Sequence, residues 1–187
     1  MQVTQSPIPD LLIIEPSVFP DSRGYFFESY NREKYITNGI EATFVQDNQS
    51  FSTRGVLRGL HYQVGEMAQA KLVSALRGEV LDVAVDIRKD SPWFGQSFSL
   101  IITEENKKQL FIPRGFAHGF VVLSETALFS YKCDNFYSKE HEGGIMYNDP
   151  GLAIDWQIDE SEAIVSEKDL VLPNLENAIN PFIYEEN

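Results

Sequence analysis

The segment Gly55-Val56-Leu57-Arg58-Gly59-Leu60-His61-Tyr62-Gln63 sets a guanidinium and an imidazole into an otherwise apolar strand pattern. A polar side chain on a core-facing strand needs a partner or a ligand, because burying it unpaired costs free energy. A surface arginine beside a satisfied, half-buried histidine accounts for the same residues without any chemistry. Strict alternation puts Arg58 and His61 on opposite faces, so a shared site requires a bulge near Gly59 or a long reach by the arginine. A second stretch, 127–137, places Phe129, Tyr131, Cys133, Asn135 and Tyr137 on one face by its two-residue period. Two tyrosines there can serve a planar ligand and a proton transfer, or simply line a β core. Lys71 opens Lys71-Leu72-Val73-Ser74, an ordinary place for a solvated strand end. The three histidines, at 61, 118 and 141, include no pair spaced like familiar metal ligands. Zinc and iron sites draw three or more converging ligands, so neither a metal nor another cofactor is expected.

Short strands must position these groups. Apolar residues alternate in brief segments cut by Gly, Pro, Asn and Asp, which predicts strands over 11–14, 25–30, 43–48, 55–63, 71–76, 79–87, 97–102, 109–112, 118–123 and 127–134. Turn signals such as Arg77-Gly78, Arg114-Gly115 and Ser124-Glu125-Thr126 separate several of them, as in an antiparallel sandwich or barrel. A short helix is expected over 31–38, ended by Gly39. After residue 137 the pattern weakens, and 138–187 reads as loops with short helices around the barrel, one of them starting at Ser166. The 187 residues suit one domain, 1–187, with its barrel core at about 43–137.

The chain holds 15 Lys+Arg against 28 Asp+Glu, a formal charge of −13. Such a balance repels phosphate backbones and anionic membranes, and no basic run offsets it, so neither nucleic acid nor membrane is an expected partner. No apolar run approaches the roughly 18–20 residues that cross a bilayer. With Cys133 as the only cysteine there is no intrachain disulfide, and the first residues lack the charged and apolar parts of a secretory leader. A cytoplasmic protein is expected.

Taken in order, the motifs are similar to those of the dTDP-4-dehydrorhamnose 3,5-epimerase family from about Asp21 to Pro173. Asp21-Ser22-Arg23-Gly24-Tyr25-Phe26-Phe27-Glu28 resembles the family's opening block, and Gln46-Asp47-Asn48-Gln49-Ser50 the next. The 55–63 segment follows, then Lys71-Leu72-Val73, the run from Arg77 to Asp86, and Ile112-Pro113-Arg114-Gly115-Phe116-Ala117-His118-Gly119-Phe120. Tyr131-Lys132, Tyr137, His141-Glu142 and Ser166-Glu167-Lys168-Asp169 complete the series. Pro113-x-Gly115-x-x-His118 also resembles the second signature of cupin barrels, although the His-x-His and glutamate of the first are missing. Ala70, Ser74 and the loop 64–67 depart from the family's usual residues.

The resemblance implies an all-β, antiparallel, cupin-like jelly roll with short peripheral helices, working without metal as a homodimer on a dTDP-linked 4-keto-6-deoxyhexose. It implies His61 as the base, Tyr131 as the acid, Asp169 as the carboxylate that orients the imidazole, and Lys71 as the cation beside the sugar O4. An imidazole is largely neutral at pH 7 and a phenol stays protonated, so the two types suit removal and return of a proton. Arg23 and Arg58 match anion-binding positions suited to a diphosphate, and His118 a contact to the sugar. Glu28, Gln46, Asn48, Glu142 and Lys168 match further ligand contacts, and Tyr137 the aromatic that stacks on thymine; Gln46 and Asn48 are candidates for a neighbouring subunit's pocket. Three alternatives stay open: a relative that inverts one carbon only, a non-catalytic sugar-nucleotide binder, and a metal-dependent cupin.

Overall fold

The computed structural model describes residues 1–185; the last two positions of the expected 1–187 domain lie outside the described residues. Fourteen strands are named in chain order: β1 Gln2–Gln5, β2 Leu12–Glu15, β3 Val18–Asp21, β4 Gly24–Phe27, β5 Gln46–Thr53, β6 Val56–Gln63 and β7 Lys71–Arg77. They continue with β8 Glu79–Asp86, β9 Ser97–Thr103, β10 Gln109–Ile112, β11 Phe116–Val122, β12 Thr126–Cys133, β13 Glu142–Gly144 and β14 Ile164–Val165. One sheet has the order β1-β2-β10-β7-β12-β5 and the other β13-β6-β11-β8-β9, with β14 added in parallel to β6. This is the antiparallel, cupin-like jelly roll that the strand spacing and motifs implied.

Three apolar layers follow from the alternation. The inner faces of both sheets enclose Val73, Val80, Ala84, Leu110, Phe120 and Phe129. The outer face of the second sheet, with Leu57, Leu60, Leu81, Val83 and Val85, is covered by Ile145, Tyr147 and Trp156 from the C-terminal segment. The outer face of the first sheet packs Leu72 and Phe111 against Tyr35 and Ile40. Tyr35 comes from the one α-helix among the described residues, α1 Arg32–Thr37, whose N-cap Asn31 accepts from the Lys34 N–H and whose end passes into Gly39 at φ +87°.

Several boundaries differ from expectation. The strand expected at 25–30 is the second arm of a hairpin, β3 with β4, whose side chains are almost all exposed. The strand expected at 43–48 is β5, displaced to Gln46–Thr53 because it pairs along the whole of β12. β1, β13 and β14 lack an alternating apolar pattern and owe their extended form to pairing. The turn at Ser166 is present, its hydroxyl accepting from the Asp169 N–H at 3.2 Å, and it leads into a 3₁₀ turn, Asp169–Val171.

The question of Arg58 and His61 is settled by register. Against β11, His61 pairs with His118 but Arg58 pairs with Phe120, so three steps along β6 match two along β11. The extra residue is a bulge at Gly59, and it turns Arg58 and His61 onto the same inner face while Leu57, Leu60 and Tyr62 stay outside. Gly59 stands at φ +130°, and a Cβ there would lie 2.5 Å from Gly119 Cα and 2.9 Å from the His118 carbonyl oxygen. Gly59→Ala is therefore expected to cost about 3 kcal/mol or more of unfolding free energy. Chemical denaturation followed by circular dichroism checks this; an unchanged midpoint contradicts it.

Candidate active site

A cleft of about 480 Å³ opens between the inner faces of the sheets, lined by Arg58, His61, Lys71, His118, Tyr131, Lys168 and Asp169 among others. A smaller lobe of about 280 Å³ shares His61, Lys71 and Tyr131 and adds Gln46, Asn48, Tyr137 and Glu142. The three shared residues stand where the lobes meet. His61 comes from the second sheet, Lys71 and Tyr131 from the first, so imidazole and phenol belong to facing walls.

Asp169 Oδ1 accepts from His61 Nε2 at 2.7 Å, and its Oδ2 accepts from the Gly59 N–H at 3.3 Å. The carboxylate side chain is only 4% exposed, the imidazole 30%. Burial alone would raise the Asp169 carboxyl, but the hydrogen bond and charge of His61, the Gly59 N–H and Lys168 together bring it below the usual carboxylate value. One imidazole nitrogen is thus fixed, and the ring keeps a face in the cleft.

On the opposite wall, Tyr131 lies between Asn48 of β5 and Val73 of β7 in register. Burial raises its pKa, with Cys133 adding and Arg58 opposing, so it remains a phenol and a proton donor at neutral pH. Lys71 Nζ donates to the His61 backbone carbonyl oxygen at 3.5 Å, tying the ammonium to the strand that carries the imidazole. Burial pushes its pKa down, against Cys133, Asp82 and Glu142, which favour the charge. His118 Nε2 is 2.8 Å from Asp82 Oδ2, and both residues are buried. Sequence reasoning passed over Asp82. A carboxylate amid Val80, Leu81, Val83, Ala84 and Val85, in a strand buried on both faces, was the signal available.

Arg58 is steadied by Ser52, whose hydroxyl accepts from Nε at 3.4 Å and Nη2 at 3.1 Å. Glu142 links two elements at the mouth, accepting from Lys168 Nζ and, at 3.0 Å, from the Tyr137 hydroxyl. Gln46 Oε1 accepts from the Tyr137 N–H at 3.1 Å, and Gln46 Nε2 donates to Asn48 Oδ1 at 3.0 Å. Gln46 and Asn48 therefore line their own chain's cleft. Arg23 and Glu28 line neither lobe: Arg23, 87% exposed, pairs with Asp21 at 2.6 Å, and Glu28 with Lys34 at 2.8 Å. Among the described residues no three His, Cys, Asp or Glu side chains converge as metal ligands do.

An oriented imidazole on one wall, with a phenol and an ammonium on the other, can take a proton from carbon on one side, hold the resulting oxyanion, and return a proton from the other side. Comparison with known proteins points the same way. The model of the family described as dTDP-4-dehydrorhamnose 3,5-epimerase matches residues 5–177. The dTDP-4-dehydrorhamnose 3,5-epimerase of Salmonella typhimurium is 53% identical over 180 residues, which are 96% of this chain and 98% of that one. The crystal structure of the Elizabethkingia anophelis dTDP-4-dehydrorhamnose 3,5-epimerase is 56% identical, with a TM-score of 0.90 over 95% of this chain and 97% of that one. That of a Legionella pneumophila dTDP-6-deoxy-D-glucose-3,5-epimerase, in complex with dTDP-4-keto-L-rhamnose, is 49% identical, with a TM-score of 0.94 over 99% of each chain.

The partly buried ammonium of Lys71 has a measurable consequence. Between the lowered pKa of folded Lys71 and the ordinary 10.5, the unfolded chain binds a proton that the folded chain does not, so stability rises with pH across that window. Below the window the fold bears the cost of a desolvated charge. Lys71→Met should raise the unfolding midpoint at pH 7, and the gain should shrink as pH climbs towards 10.5. Denaturation at several pH values tests this; a variant less stable than the parent at pH 7 would contradict it.

Proposed function

The chain belongs to the dTDP-4-dehydrorhamnose 3,5-epimerase family and is an isomerase converting dTDP-4-dehydro-6-deoxy-D-glucose to dTDP-4-dehydro-L-rhamnose, and we propose that His61 and Tyr131 carry both inversions. The observation behind this reading is their placement on facing sheets with Lys71 alongside. The C4 ketone acidifies the hydrogens on C3 and C5, since the carbanion left behind delocalises onto the carbonyl oxygen. His61 removes the proton and becomes an imidazolium held by Asp169, as the carboxylate does in hydrolytic triads. Lys71 meets the charge that develops on O4; losing one such donor typically costs roughly 10²–10³-fold in rate. Tyr131 protonates the carbon from the opposite face, which inverts it. A proton returned by His61 merely restores the substrate. Arg58 and Lys168 hold the diphosphate, and Gln46, Asn48 and Tyr137 the nucleoside side, with Glu142 tying Lys168 to Tyr137.

Arg23 and Glu28 find a role in a homodimer. Their hairpin carries Phe19, Tyr25 and Phe26, exposed at 62%, 58% and 70%, an apolar surface that a second copy would cover. In this arrangement the hairpin of one copy completes the cleft of the other. The enzyme acts as one catalytic domain in the cytoplasm. Its acidic charge and single cysteine support that location, and among the described residues no helix is long and apolar enough to cross a membrane.

Incubation in D₂O should place deuterium at both C3 and C5. His61→Ala should lower exchange at both carbons by roughly 10²–10⁴-fold, whereas Tyr131→Phe should block inversion yet retain exchange through His61. Nuclear magnetic resonance of the sugar distinguishes these outcomes, and undiminished exchange in His61→Ala would remove the base from its role. For the dimer, Arg23→Ala and His61→Ala chains, each weak alone at low substrate, should regain activity when mixed and reassembled. No recovery would place Arg23 outside the partner's site.

A further inference from the structure

Asp82 is fully buried in the middle of β8, on the inner face shared with Val80 and Ala84. A carboxylate in that position is costly unless it is paired. Its Oδ2 is bonded to His118 Nε2, and its Oδ1 has no partner among the described residues. Carboxylate oxygens are acceptors, so this pairing calls for the proton on Nε2. The other nitrogen, Nδ1, makes no hydrogen bond to the described protein, in a ring that lines the cleft. The groups around this imidazole are Asp82 from β8, Lys71 from β7 and His61 from β6, while the Phe129 ring of β12 stacks on it at 6.2 Å. Burial lowers the His118 pKa; Asp82 opposes that, and Lys71 and His61 reinforce it, so the ring is neutral at pH 7. A neutral ring with its proton on Nε2 presents a bare lone pair at Nδ1.

We infer that Asp82 is a positioning residue that fixes His118 as a hydrogen-bond acceptor for a hydroxyl of the sugar ring. The inference rests on the ketosugar reading above. Ketone, enolate and diphosphate oxygens are acceptors only, so none of them satisfies Nδ1. On a 4-keto-6-deoxyhexose the ring donors are the hydroxyls on C2 and C3, which flank the reacting centre. His118 therefore orients the ring and leaves the enolate charge to Lys71. Asp82 touches no substrate atom; it selects the tautomer.

The first arm of the test uses ¹⁵N-histidine-labelled, ligand-free protein at pH 7, where His118 Nδ1 should resonate as unprotonated and Nε2 as protonated. A protonated Nδ1 overturns the inference whatever the substrate is. The second arm measures binding of unreactive dTDP-6-deoxy-D-glucose and its 2-deoxy and 3-deoxy analogues. One deoxy analogue should bind roughly 5- to 10-fold more weakly than the parent, the worth of one neutral hydrogen bond. In Asp82→Asn the side-chain amide can donate to Nε2 and move the ring proton to Nδ1, so Nδ1 should now resonate as protonated, and an unchanged tautomer in this variant overturns the part given to Asp82. Equal binding of all three ligands to the parent protein overturns the inference without any variant. Failure of the fully hydroxylated ligand to bind, with the tautomer as expected, would instead overturn the ketosugar reading and the hydroxyl assignment with it.

Discussion

One carboxylate holds the active face of this barrel together. Asp169 accepts from the imidazole of His61 through one oxygen and from the bulged backbone of Gly59 through the other. Hydrogen bonds to a charged group contribute about 1.5–3 kcal/mol each, more than neutral ones, and here both act on the same three-residue stretch of β6. The bulge gives Arg58 and His61 a common face, and Asp169 fixes the result. Its own position depends on the turn at Ser166 and on the C-terminal segment that packs over the outer side of the second sheet.

Around that anchor the cleft is built from charges that would be costly without their pairing. Two imidazoles on neighbouring strands each have a carboxylate behind them, Asp169 for His61 and Asp82 for His118. The two pairs differ in surroundings: His61 keeps a third of its side chain open, whereas His118 and Asp82 are closed in. That difference suits the proposed roles, a base that exchanges protons at His61 and a lone-pair acceptor at His118. The ammonium of Lys71 stands near both, and with Arg58 and Lys168 it sets three cations into the cleft of a protein whose total charge is −13. The apolar layers on both sides of the sheets supply the stability that this polar interior does not.

Much of this was legible from residue order. β5, β9 and much of β12 alternate because each has one face on a core, and the expected limits of β10, 109–112, are the observed ones. β8 reads as a continuous apolar run because both of its faces are covered. What escaped was structure whose pattern is set by something other than the chain's own core. The β3–β4 hairpin has no buried face, so alternation has nothing to report there, and β13 and β14 are short additions to an edge already formed. The family motifs named the residues of the cleft, but only the register of β6 against β11 explains how Arg58 and His61 share it. Asp82 was read as part of a strand because nothing local ties it to a histidine 36 positions later.

The distance along the chain between His61 and Asp169 also orders events in time. A ribosome makes the imidazole 108 residues before the carboxylate that aligns it. The imidazole is therefore aligned only once the C-terminal segment has been made and has packed over the second sheet.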